Sequence, residues 1–159
     1  MSSALGSHIM QIRHKAFFHA LKQNGLKSDP TYAGSSYYIT QCMEKHLPRL
    51  LDLGITSIVC SHDLIANAAM IQCQQLGYKV PDEISIIGFD DLPICAYTSP
   101  PLTTIRQERI QLGKSAYYAL DSLMNQVSIG TLLLHAKLIE RGSTREVPQT
   151  NNNIKRTGD

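Results

Sequence analysis

Residues 76–91 read LGYKVPDEISIIGFDD. Their core, Ile84–Phe89, is short, rich in β-branched residues and apolar on both faces, the pattern of a strand buried within a parallel sheet. Upstream, Ile55–Ser61 (ITSIVCS) has the same character. Between the two, Leu64, Ala68, Ile71 and Leu76 recur at helical spacing, with Asp63 as the expected N-cap and Gly77 as the stop. Strand, helix and strand in this order form a βαβ unit, whose strands pair in parallel. The expected class is therefore α/β, a doubly wound parallel sheet flanked by helices. Asp90 and Asp91 follow the second strand directly. Ligands of such sheets sit in the crevice beyond the carboxyl ends of the strands, so the acidic pair marks a candidate site.

Working toward the N-terminus, Ile9, Ile12, Ala16, Phe17, Ala20 and Leu21 share one helical face. They predict a helix over residues 9–24, ended by Gly25. Thr31–Gly34 is a short strand candidate after Asp29-Pro30. Ile39, Cys42, Met43, Leu47, Leu50 and Leu51 form a second helical stripe before Gly54. Pro48 lies inside it and should kink or split it.

Toward the C-terminus, Pro93, Pro100 and Pro101 mark a non-helical loop. Leu102–Arg106 is a brief extended segment. Ile110–Met124 reads as a helix with Leu112, Ala116, Ala119, Leu120 and Leu123 facing inward, and Leu132–Ile139 as a last strand. One lobe over residues 1–147 and a polar, disordered tail over 148–159 are expected.

The chain has 159 residues, 43% hydrophobic and 18% charged, with a net charge of +2. That is room for one domain with a core, and the charge is too small to imply a phosphate-binding surface. No apolar run is long enough to span a bilayer and no export signal stands at residues 1–10, so a cytoplasmic protein without membrane contact is expected. Cys42, Cys60, Cys73 and Cys95 form no CxxC and no zinc spacing; Cys42, Cys60 and Cys73 lie in apolar patterns and read as buried free thiols, and no metal or cofactor is expected. His62-Asp63 and Asp90-Asp91 invite a catalytic or metal reading. Against it, no Gly-rich phosphate loop, GxSxG, HExxH or DxDxDG is present, and no catalytic residue is assigned.

Ser61-His62-Asp63, then LGYKVPDEISIIGFDD at 76–91, then PPLTTIRQ at 100–107 together resemble the LacI/GalR family of transcriptional regulators, in order and spacing. The similarity runs from about Ile9 to Thr144. The resemblance implies the C-terminal lobe of a two-lobed periplasmic-binding-protein-type domain (type I), with an effector held between the lobes. It implies that residues 13–99 and 132–141 belong to that lobe, and that residues 102–128 cross toward the other. The family's helix-turn-helix, hinge helix and first half have no counterpart in these residues, so the lobe is expected to be truncated and unable to bind DNA directly.

The resemblance also implies roles. Asp90 stands at an effector-contact position, where a carboxylate accepts from two sugar hydroxyls or a purine N–H. His62 ends the preceding strand where the family commonly has Asn, and either contacts ligand or makes a local structural hydrogen bond. Arg13 matches an arginine that grips effector oxygens through its forked donors. Tyr38 corresponds to an aromatic that stacks on the ligand. Ser7, Tyr37 and Asp91 are weaker candidates, Asp91 having a structural cap as its alternative. The expected partner is a sugar or purine-like effector. A homodimer is expected near Ile39, Met43, Leu64, Met70, Leu92 and Ile94. The helix over 110–124, left without the lobe it covers, should fold back on the same sheet or pair with a second copy, for instance by domain swapping.

Overall fold

A computed structural model describes residues 2–3, 8–36 and 38–146. The element order is β1 (Ser2–Ser3), α1 (His8–Gln23), β2 (Ser35–Ser36), α2 (Ile39–Asp52), β3 (Ser57–Val59), α3 (Asp63–Gln75), β4 (Ser85–Asp90), β5 (Thr103–Arg106), α4 (Arg109–Met124) and β6 (Lys137–Ile139). β3, β4, β5 and β6 form one sheet in that order. The first three strands are parallel and β6 is antiparallel to β5. The sheet is thus mixed and mostly parallel. β1 and β2 make a separate parallel pair.

The core lies where α2 and α3 cover the sheet. Leu47, Ile65, Met70, Cys73, Ile84, Ile86 and Leu102 are buried in it, joined by Cys42, Cys60 and Cys95. All four cysteines are free thiols. Burial pushes the Cys60 and Cys73 thiols up to about 11, and burial beside the Asp63 carboxylate pushes Cys95 to about 12.

Several local expectations are corrected. Thr31–Gly34 is not a strand. Pro30–Tyr32 is a 3₁₀ turn, because Asp29 accepts the Thr31 amide at 2.9 Å and Pro30 starts the turn; pairing begins only at Ser35. Pro48 does not split α2, which continues from Ile39 to Asp52; it sits on the exposed side, where the lost hydrogen bond faces water. The last strand is only Lys137–Ile139, and Leu132–Leu134 are exposed rather than paired.

The largest departure is α4. It forms where expected but contributes no buried side chain: Leu112, Leu120 and Leu123 are 55%, 59% and 58% exposed, and Ala116 is exposed too. Its apolar residues do not face inward, and the helix does not fold back on the sheet. Helical periodicity says which residues share a face, not whether anything covers it. No described helix is long and apolar enough to cross a membrane. The expected tail at 148–159 lies outside the described residues.

Candidate functional site

Three chain segments meet at the carboxyl end of the sheet. The first is the turn from β3 into α3. His62 occupies the N-cap in an extended conformation (φ −160°, ψ 164°), and its Nδ1 accepts the Ile65 amide at 3.4 Å. The imidazole is therefore neutral with its proton on Nε2. Burial holds its pKa below the ordinary 6.5, although Asp90 and Asp63 pull the other way. The expected cap, Asp63, is instead fully buried and bonds away from its own helix.

The second segment is the end of β4. Asp90 and Asp91 both have positive φ, 110° and 52°, where L side chains are disfavoured. Asp90 Oδ1 accepts from Gln107 Nε2 at 2.7 Å and lies 3.8 Å from Arg13 Nη2. No described residue bonds Asp90 Oδ2, and the side chain is 31% exposed. Asp91 differs. Arg106 Nε donates to its Oδ2 at 2.5 Å and Arg141 Nη2 to its Oδ1 at 2.7 Å, and its side chain is 8% exposed. Burial raises its pKa, but the bonds from Arg141 and Arg106 outweigh that and hold it below 3.8. Both Asp91 oxygens are thus committed to tying β5 and the chain after β6 to the turn.

The third segment is α1. Arg13 Nη1 donates to the Ser61 carbonyl at 2.5 Å, and its guanidinium lies 3.7 Å above the Phe89 ring centroid. Carbonyl, aromatic face and Asp90 fix this arginine at the end of the sheet. Arg13, Ser61 and Phe89 also line an apolar cavity of about 530 Å³ between α1 and β3, whose walls include Phe17, Leu21 and Ile58. Asp90 and His62 stand outside its lining.

Of the residues expected from sequence, the structure brings Arg13, His62 and Asp90 together. Tyr38 stands at the N-cap of α2, exposed. Ser7 and Tyr37 lie outside the described residues. Gln107 and Phe89 were not anticipated. Phe89 reads as one more apolar strand residue, and the Gln107–Asp90 bond joins positions with no sequence periodicity between them. Of the expected dimer contacts, Met43 and Met70 are core residues with no surface to offer. Ile39 and Leu92 are half-buried and packed on that core, while Leu64 and Ile94 are exposed. No group of three or more metal-ligating side chains occurs among the described residues.

The donors and acceptors at this end suit a polar, neutral ligand. Asp90 supplies an acceptor oxygen that no described residue bonds, His62 Nε2 a donor, and Arg13 a fixed cation on an aromatic face.

A periplasmic binding protein-like domain model matches residues 4–144. The chain is 37% identical over 140 residues to the HTH-type transcriptional repressor CytR of Escherichia coli (strain K12), covering 86% of this chain and 41% of that protein. It is 37% identical over 106 residues to the HTH-type transcriptional repressor PurR of Aliivibrio salmonicida, covering 65% of this chain and 32% of that one. Among solved structures, the transcription regulator CcpA of Lactococcus lactis superposes with a TM-score of 0.79 at 29% identity, covering 91% of this chain and 54% of the other. The Lac repressor dimer, solved bound to operator and the anti-inducer ONPF, gives 0.76 at 25% identity, with 90% and 51% covered. The chain thus spans less than half the length of the two repressors it matches in sequence. Both of those relatives are named as transcriptional repressors, not as enzymes.

Proposed function

The chain belongs to the LacI-type regulator family through its periplasmic-binding-protein-like effector domain, and from that premise we propose that it senses a small neutral effector at the carboxyl end of its sheet. Asp90 accepts from the vicinal hydroxyls of a sugar or from a purine ring N–H. Arg13 donates to the same ligand's oxygens, and His62 Nε2 adds a neutral donor. The observation that carries this reading is Asp90 itself: a strained residue, bonded among the described residues through one oxygen, facing Arg13 and Gln107. Backbone strain persists where the surroundings enforce it, most often at ligand sites. The lobe works in the cytoplasm as part of a transcriptional regulator and pairs with a second copy through Leu64, Ile94 and their surroundings. It makes no direct DNA contact.

A thermal-shift screen with D-ribose, D-glucose, adenine and adenosine tests this. At least one of these should raise the melting temperature saturably, and Asp90→Ala should abolish the rise. No response to any, or an equal response in Asp90→Ala, would remove the assignment.

A second reading rests on α4. Ile110, Tyr117, Leu120 and Leu123 leave a continuous apolar helix open to solvent, a face that monomers rarely tolerate. On this reading the chain is an interaction module that associates through α4, with or without an effector. Sedimentation velocity separates the two: Leu120→Lys with Leu123→Lys should convert an associating chain to a monomer while leaving effector binding intact.

A further inference from the structure

Asp63 is fully buried and lies outside the effector contacts proposed above. Its Oδ2 accepts the Leu92 amide at 2.7 Å, and its Oδ1 accepts the Thr104 hydroxyl. The Thr104 oxygen in turn accepts the Asp91 amide at 3.4 Å. Cys95, from the 3₁₀ turn Pro93–Ala96 that follows, is buried beside this carboxylate, which helps push its thiol pKa up. One side chain of α3 thus holds the backbone on the far side of the Asp90–Asp91 turn, directly at Leu92 and through Thr104 at Asp91. Gly88, just before the turn, leaves room for it: a Cβ there would stand 2.3 Å from Asp63 Oδ1 and 3.3 Å from Asp63 Cα.

These bonds hold the Asp91 and Leu92 amides, at and just after the Asp90–Asp91 pair whose φ angles are both positive. Aspartate enters the left-handed region more readily than most residues, but two in succession with positive φ still carry a steric cost. Something must enforce that conformation, and the Asp63 carboxylate is the buried acceptor that takes the Leu92 amide directly and is linked to the Asp91 amide through Thr104. We propose that Asp63 is the positioning residue of the effector site, a buried carboxylate that imposes the left-handed turn and so sets where Asp90 meets Arg13 and Gln107. It touches no ligand. Gly88 and Thr104 are its supports, one by absence of a side chain and one by relaying Asp63 to the Asp91 amide.

This inference rests on Asp90 being an effector contact, and its test separates the two ideas. Asp63→Asn keeps an acceptor for Thr104 but sets an amide N–H2 against the Leu92 N–H. The first readout is the Gln107 side-chain amide in a nitrogen-15 correlation spectrum, together with the HN–Hα couplings of Asp90 and Asp91. The second is adenosine affinity. In Asp63→Asn the Gln107 resonances should move to solvent-exposed positions, the couplings should change, and adenosine affinity should fall about tenfold or more. Leu47→Ala, a core variant away from the turn, should lose stability yet keep the Gln107 signature, the couplings and the affinity.

If Asp63→Asn does not fold, Thr104→Val removes the relay at conserved shape and should displace the same resonances to a smaller extent. Retention of the wild-type Gln107 signature and couplings in a folded Asp63→Asn or Thr104→Val chain overturns the positioning role. Failure of the wild-type chain to bind adenosine, D-ribose, D-glucose or adenine counts against the effector reading, while the spectra still decide for or against Asp63.

Discussion

Gln107 donates its side-chain amide to the Asp90 carboxylate at 2.7 Å, joining the residue just past β5 to the last residue of the adjoining parallel strand β4. A bond to a charged acceptor at a half-exposed position contributes about 1 kcal/mol. Gln107→Ala should therefore lower the urea midpoint by an amount matching that figure, with an unchanged denaturant slope. An unchanged midpoint would show that the bond adds nothing to stability. Gln107→Glu sets like charges side by side and should cost more than the alanine variant.

The neighbouring carboxylate has a different task. Asp91 receives Arg106 and Arg141 together and is nearly buried. Removing one member of such a group leaves the others unpaired, so Asp91→Ala should cost about 3 kcal/mol, discounted from the upper values because Arg106 is partly exposed. The pH dependence follows from the lowered native pKa. Asp91 is ionised in the folded chain at pH values where the unfolded chain is protonated. Its contribution is present above the ordinary 3.8 and is lost as pH falls through the native value. Wild-type stability should drop more steeply below about pH 4 than that of Asp91→Ala; parallel curves would contradict the assignment.

His62 gives the opposite kind of residue at a higher pH. Its native pKa lies below 6.5 because burial disfavours the imidazolium. The unfolded chain then binds more protons just below that value. Stability contributed by the neutral ring is present above pH 6.5 and falls as pH is lowered toward the native value. His62→Asn keeps an N-cap acceptor for Ile65 and removes the titration. Its stability should be flatter between about pH 5 and 6.5 than that of the wild type, as followed by chemical denaturation.

The thiols supply a test of core integrity. With Cys42, Cys60, Cys73 and Cys95 all buried, and three of their pKa values pushed to about 11 or 12, the native chain should react with a thiol-specific disulfide reagent only as fast as it unfolds. Rapid release of even one equivalent at neutral pH would mean that a cysteine assigned to the core is open to solvent.

What the sequence disclosed depended on the range of the interaction. ISIIGF announces its strand through its short β-branched apolar run, yet only one face is fully buried: Ile86 and Gly88 are buried, while Ile87 and Phe89 on the other face are half-buried. The helices α1, α2, α3 and α4 each follow from a local apolar recurrence. Side-chain bonding between distant segments is another matter. Asp63 sits where a cap belongs, yet His62 makes the cap because Asp63 finds Thr104 and the Leu92 amide. α4 was legible as a helix, but the fate of its apolar face depends on what stands beside it in space. Met43 and Met70 were expected as dimer contacts through the family resemblance alone, and they lie inside the fold. His62 and Asp90 could be picked out because each follows a parallel strand, where one rule applies; Arg13, inside α1, was marked only by the family resemblance, and Gln107 follows β5 under the same rule but carries no comparable local signal.

Titration calorimetry on the purified chain and on Asp90→Ala, each with D-ribose, adenine and adenosine, bears most directly on the central claim. The wild-type chain should bind at least one of these compounds saturably at one site, and Asp90→Ala should weaken that binding about tenfold or more with its melting temperature little changed. Equal affinity in the two proteins would contradict the claim that this carboxylate meets the effector.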